Sequence, residues 1–340
     1  MTIKDIARLS GYGISTVSRA LNNHPDVSEE TKEKIKQIVV EHRFVPNSNA
    51  RNLKQQESNS VVILVKGSFN LFFASIIEHL QITLSRSGLG VVLHYIDEEE
   101  DEVRIAEQLC REIKPRGIVF LGGNIKSFQK RFSGISIPCV LSTTSAKDLS
   151  FENLSSVSVD DTRCAKQAVD YLFDNGHQHI AVVGGDFDIS YTGGLRLAGY
   201  RQSIEEHGQA FNTAFYAQAH FLAGSAYEAT KHLLAQNNKI TAIFAMSDLM
   251  AMGCIRAIND SGLRVPDDIS VIGFDGIELS NYFCPRLTTV RQPVEQIAAQ
   301  TAKMLLRSVQ AYEPAHHRLL DAELIVGESV KRIETWDMVD

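Results

Sequence analysis

From Ser60 onward the chain repeats one pattern, a short and almost uninterrupted apolar run followed by a stretch with helical apolar spacing. VVILV (61–65), GVVLHYI (90–96), GIVFLGG (117–123), IPCVLS (137–142) and VSV (157–159) make a first set, with helical stretches near 71–86 and 101–113. HIAVVGG (179–185), a run near 215–218, ITAIFAM (240–246) and ISVIGFD (269–275) make a second, alternating with helical stretches near 161–174, 193–207, 223–236 and 248–261. A strand that is apolar at nearly every position is buried on both faces, and strand–helix alternation builds right-handed βαβ units around parallel sheets. The pattern therefore predicts an α/β core of two doubly wound parallel-sheet lobes. Ligands on such sheets bind beyond the carboxyl ends of the strands, so two facing lobes make a cleft.

Composition agrees and narrows the function. With 340 residues, 44% hydrophobic and 22% charged, the chain has enough apolar residues for more than one core, which excludes a disordered or disulfide-dependent polypeptide. The formal charge of −7 excludes attraction of the whole chain to nucleic acid or to an anionic membrane. Residues 1–60 nevertheless carry nine Lys/Arg against seven Asp/Glu, while the remainder carries 25 against 34, so a mildly basic head precedes an acidic body. The polar stretch 54–60, KQQESNS, marks the seam. Five widely spaced cysteines, without a CxxC pair, predict buried thiols in a reducing compartment and no zinc. No apolar run is long enough to span a membrane and the N-terminus lacks a signal-peptide pattern, so the expected location is cytoplasmic.

In the head, Thr2 and Asp5 open a first short helix with Ile6, Ala7 and Leu9 on its apolar face, ended by Gly11. A second helix from Ile14 to Leu21 buries Val17, Ala20 and Leu21 and turns Ser15, Thr16, Ser18 and Arg19 outward. Ser28 caps a third, with Glu29 and Glu30 in its first turn and Ile35, Ile38 and Val39 as its stripe. Two readings stand at this point. One is a helix-turn-helix whose second helix enters the major groove, with Arg19 reading guanine and Thr16 and Ser18 holding phosphates. The other is a plain three-helix cap with a solvated face.

STVSRALN (15–22), VSEETKEKI (27–35) and FVPNSNARNL (44–53) resemble the headpiece of the LacI/GalR (lactose/galactose repressor) family of transcription regulators. The resemblance implies DNA contacts from Thr2, Ile14, Ser15, Thr16, Ser18, Arg19 and Asn22, and from Asn47, Ala50, Leu53 and Lys54 in a hinge helix. Leu53 occupies the position of the leucine that wedges into the minor groove, which kinks the duplex. Gly11-Tyr12-Gly13 replaces the family's usual Gly-Val-Ser, and Ile14 and Ser15 cannot form the bidentate base pairings of Gln or Asn. Operator preference would then rest on Arg19, an apolar contact from Ile14 and deformability of the central step.

The resemblance continues through DNGHQHIAVVGG (174–185), GLRLAGYRQSIEEHG (194–208), the long stretch 241–279 and PRLTTVRQPVEQIA (285–298). It implies a periplasmic-binding-protein-like core entered from a head (1–46) and hinge (47–58). The core at 59–340 would have an N-lobe of about 59–160 and 291–323 and a C-lobe of about 161–290 and 324–340. It also implies an effector cleft in which Arg196 and Asp275 grip hydroxyls or ring heteroatoms, Phe221 stacks, and Phe72 and Phe73 line the opposing lobe. Asp160, Thr192, Ser247 and Asp248 are further candidates, as is Thr143, which stands where relatives often carry an acidic residue. The expected partners are double-stranded operator DNA, a second copy of the chain, and an effector that is a sugar first and a nucleobase or nucleoside second. A protein corepressor is a further possibility, and no tetramerisation helix is expected after Trp336.

An enzyme needs a constellation that the sequence lacks. Gly184-Gly185-Asp186 is short of a dinucleotide fingerprint, no GxxxxGK[ST] occurs, and His177-x-His179 lacks a partner at zinc spacing, so both histidines are expected to be structural and no cofactor is expected. The acidic run 97–102 is expected to be the solvated first turn of a helix. The rival to a regulator is a soluble solute-binding or metabolic α/β protein with a helical appendage.

Overall fold

The computed structural model describes residues 3–21, 25–42, 58–67, 70–185 and 190–333. Thr2, Asn22, Asn47, Ala50, Leu53 and Lys54, and the hinge with them, lie outside the described residues. The chain divides into two compact units, 1–58 and 59–340.

The head consists of α1 (Ile3–Ser10), α2 (Ile14–Leu21) and α3 (Glu29–Glu41). Gly11, at φ 77°, ends α1 and returns its N–H to the Ala7 carbonyl at 3.1 Å, a left-handed cap that costs glycine nothing. Ser28 caps α3 by accepting from the Thr31 N–H at 3.3 Å. Ile6, Ala7, Val17, Ala20, Val27 and Ile35 form the shared core, with Leu21, Ile38 and Val39 half-buried against it. Leu9 is not part of it. It is 47% exposed, because it stands about 200° around the helix from Ala7.

In the body, β1 (Ser60–Lys66) sends Val61, Ile63 and Val65 to one core and Val62 and Leu64 to another, so its unbroken apolar run serves two faces of one sheet. It is followed by α4 (Leu71–Arg86), β2 (Gly90–Ile96), α5 (Glu102–Glu112), β3 (Gly117–Leu121), α6 (Ile125–Arg131), β4 (Cys139–Ser142) and β5 (Leu154–Val159). The chain then builds α7 (Asp161–Asp174), β6 (Ile180–Gly184), α8 (Tyr191–Glu206), β7 (Tyr216–Gln218), α9 (Ala223–Gln236), β8 (Ala242–Ala245), α10 (Asp248–Asp260), β9 (Ser270–Asp275) and β10 (Thr288–Arg291). It returns to the first lobe as α11 (Val294–Ala311) and β11 (His317–Leu320), and ends in the second as β12 (Glu323–Ile325). Among the described residues each sheet has six strands, ordered β11-β5-β4-β3-β1-β2 and β12-β10-β9-β8-β6-β7. All pairings are parallel except β12 on β10, an antiparallel edge strand of the kind mixed sheets carry.

The sequence pattern missed α6, α11 and strands β10 to β12. Those strands are three or four residues long and partly exposed, too short for a period to register. The thiols also depart from expectation: Cys139, Cys164 and Cys254 are buried, but Cys110 is half-buried and Cys284 is exposed. No helix among the described residues is long and apolar enough to cross a membrane.

Candidate functional site

The carboxyl ends of both parallel sheets open into one cavity of about 290 Å³, at the lower end of the range for small-molecule sites. From the first lobe, Lys66 stands at the end of β1, and Asn70, whose side chain accepts from the Phe72 and Phe73 N–H groups, caps α4 and sets both phenylalanines at the wall. Thr143 follows β4 at φ 73°, a strained conformation for a β-branched residue. Facing them, the second lobe contributes Thr192 and Arg196 from α8, Phe221 after β7, and Asp275 at the end of β9, itself at φ 113°.

Arg196 organises the floor. Its Nε donates to Asp161 Oδ1 at 2.8 Å, Nη1 reaches the Met246 carbonyl and lies 3.5 Å from Asp275 Oδ1, and the guanidinium sits 3.7 Å over the Phe274 ring. Gln292 donates to Asp275 at 2.9 Å. Burial pushes the Asp275 carboxyl up to about 7, with Arg196 opposing and the Asp248 carboxylate adding to the rise. Asp161 is likewise raised by burial and held down by Arg196. The result is a rigid cation with two carboxyls and an aromatic flank, suited to gripping hydroxyls or ring heteroatoms bidentately.

Phe72, Phe73, Thr143, Thr192, Arg196, Phe221 and Asp275 thus come together, although Phe72 is chiefly core, with only 3% of its surface exposed. Three other candidates stand apart from the cavity. Asp160 caps α7, accepting from the Arg163 N–H at 3.0 Å. Ser247 caps α10 and touches only a narrow crevice beside Phe221 and Asp275. Asp248 is fully buried and accepts from the Ile277 N–H, the Ser280 hydroxyl and the Thr289 hydroxyl, so its carboxylate ties the chain after β9 to β10. Burial raises it to about 6 against those hydrogen bonds.

The sequence reading missed Lys66, Asn70, Tyr191 and His220, all of which line the cavity, as do Asp97 and Glu98 from the acidic run. The signal that finds them is position just past a strand end. That run is not a solvated helical turn. Asp97 and Glu98 form a turn after β2, Asp101 caps α5, and Glu102 is buried with Lys66 at 2.6 Å. Glu98 Oε2 also lies 3.3 Å from His220 Nδ1, a contact between the lobes at the cavity wall.

In the head, Ile14, Ser15 and Arg19 of α2 are exposed, and Thr16 and Ser18 are half-buried on the same helix. Arg19 is paired with Asp26 at 3.1 Å, an exposed contact of about 0–1 kcal/mol that a guanine edge can displace. The other motifs have structural explanations. A Cβ on Gly184 would collide with Met246 and one on Gly185 with the Phe221 ring, so both glycines serve packing. His177 is buried between the Thr241 hydroxyl and the Lys331 carbonyl, at 3.1 Å each, while His179 stacks on Phe215. Among the described residues no group of three His, Cys, Asp or Glu is arranged to hold a metal ion.

A helix-turn-helix head carried on a bilobed receptor core is the build of a DNA-binding regulator. The family model for bacterial regulatory proteins, lacI family, matches residues 2–47, and that for the periplasmic binding protein-like domain matches 169–330. The HTH-type transcriptional regulator MalR of Clostridium butyricum is 37% identical over 336 residues, 97% of this chain and 99% of that protein. The probable HTH-type transcriptional repressor ExuR of Bacillus subtilis is 33% identical over 342 residues, 98% of this chain and all of that protein. Among solved structures, the complex of the transcriptional regulator CelR with cellobiose superposes with a TM-score of 0.69 at 26% identity, covering 97% of this chain and 99% of that one. The chain belongs to the LacI family, whose members are transcriptional regulators rather than enzymes.

Proposed function

We propose that the protein is a repressor that binds a pseudo-palindromic operator as a homodimer in the cytoplasm. Its grip on DNA is set by a small-molecule ligand in the cleft, a sugar first and a nucleobase or nucleoside second. The observation that carries this reading is the Arg196 network, a buried guanidinium held between Asp161 and Asp275 in a cavity walled by Phe73 and Phe221. Charged groups at fixed angles grip hydroxyls while aromatic faces cover the apolar side of a ring. The relative CelR was captured with cellobiose, which supports a sugar. A two-fold operator calls for a two-fold protein, with Arg19, Ser15 and Ile14 of each copy at the bases and Leu53 at the centre.

The test is selection of genomic fragments from the source organism at physiological salt by the full-length chain and by its Arg19→Ala variant. Enrichment of a pseudo-palindromic site by the wild type alone supports the reading. Equal enrichment by both, or none, counts against it, and enrichment only after adding cell extract would point to a protein corepressor.

A further inference from the structure

The charges around the cavity do not balance, and the imbalance bears on what can enter. Among the described residues two permanent cations line it, and each is already paired with a carboxylate. Lys66 Nζ is 2.6 Å from Glu102 and donates to the Glu100 carbonyl at 2.9 Å, with Glu102 1% exposed. Arg196 is paired with Asp161 and Asp275 and donates to a carbonyl, as described above. On the other side stand Asp275, Asp97 and Glu98. Among the described residues the Asp97 carboxylate has no hydrogen-bond or ion-pair partner, and Glu98 meets only His220.

An entering anion loses its hydration and needs a cation free to replace it. Both described cations are already neutralised by carboxylate partners, and the carboxylates at the wall repel it. A hydroxyl, by contrast, can donate to Asp97, Glu98 or Asp275 and accept from Asn70 or Arg196. We infer that the cleft takes uncharged polyhydroxylated ligands and rejects carboxylates and phosphates, with Asp97 and Glu98 as the residues that impose this selection. The inference rests on the effector reading above and narrows it, setting uronates and sugar phosphates aside.

The cavity's potential can be read without knowing the effector. In full-length Thr192→Cys, the introduced thiol lines the cavity, and the exposed Cys284 serves as reference in the same chain. Each is reacted with a cationic and an anionic methanethiosulfonate of similar size, and labelling is followed peptide by peptide. The ratio of the two rates cancels the thiol's own pKa. The expected cationic-to-anionic ratio at the introduced thiol exceeds that at Cys284 by about tenfold or more, since a charged cleft concentrates counter-ions by that order. Adding Asp97→Asn and Glu98→Gln should bring the ratio down toward the reference. A ratio no higher than at Cys284, or one the two substitutions leave unchanged, overturns the assignment. So does tighter calorimetric binding of galacturonate or glucose 6-phosphate than of maltose or cellobiose. If none of the four binds, the effector reading suffers while the thiol ratio still decides this one.

Discussion

His177 and Asp275 show how single buried groups set the pH response. Burial lowers His177 to about 4, opposed by the Lys331 carbonyl. Its folded pKa lies below the unfolded value, so it contributes stability above about pH 6.5 that is lost as pH falls toward 4, about 3 kcal/mol in all. His177→Asn should flatten that acid limb, as chemical denaturation at pH 4.5 and 7.5 would reveal; parallel limbs would refute the assignment. Asp275 has the opposite sign. Its pKa is raised to about 7, so the folded state holds the extra proton and stability falls as pH rises from about 4 to about 7, then levels. The stability of Asp275→Asn relative to wild type should therefore grow across that window and stay constant above it, measurable by the same denaturation series. Arg196→Ala is a poor probe of the effector, because it leaves Asp161 buried and unpaired at a cost of about 3–5 kcal/mol; a thermal melt of that variant showing no loss would contradict the network.

At the scale of elements, caps and strand ends carry the design. Ser28→Ala should destabilise α3 by about 1 kcal/mol, seen as loss of head helicity on heating without change in the body's transition. The longer strands of the two sheets were legible because a both-faces-buried strand such as β1 must be apolar throughout, whereas the short β10 to β12 were not. The helix-turn-helix was legible in the spacing of Ile6, Val17, Ala20 and Ile35, though periodicity alone did not separate a DNA reader from a plain cap. The cavity was only partly so. Arg196, Asp275 and Phe221 came from likeness to a family, whereas Lys66, Asp97 and His220 are polar residues with nothing local to distinguish them from solvated ones. Only the topology, which brings the ends of β1, β2 and β7 around one space, makes them a wall. Asp248 shows the converse: an acid beside the site by sequence, whose side chain is consumed by three hydrogen bonds that hold the backbone.

The body's two lobes meet unevenly. Met252 and Ile277 of the second lobe are buried in the first lobe's core cluster, while at the cavity wall Glu98 and His220 make a thin polar contact. A firm apolar seam with a polar edge is suited to opening and closing by small sliding and hinge motion. Ligand that favours the closed form shifts that equilibrium only by its differential affinity, and any effect on DNA must be returned in full by DNA on the ligand. The most direct test is a pair of titrations on one preparation, using an operator fragment selected as described above and the neutral sugar that binds most tightly. Operator affinity is measured with and without the sugar, and sugar affinity with and without the operator. The account predicts that both change by one and the same factor, and that Asp275→Asn abolishes the change while operator affinity without sugar is kept. A sugar that occupies the cleft and leaves operator affinity untouched would contradict it.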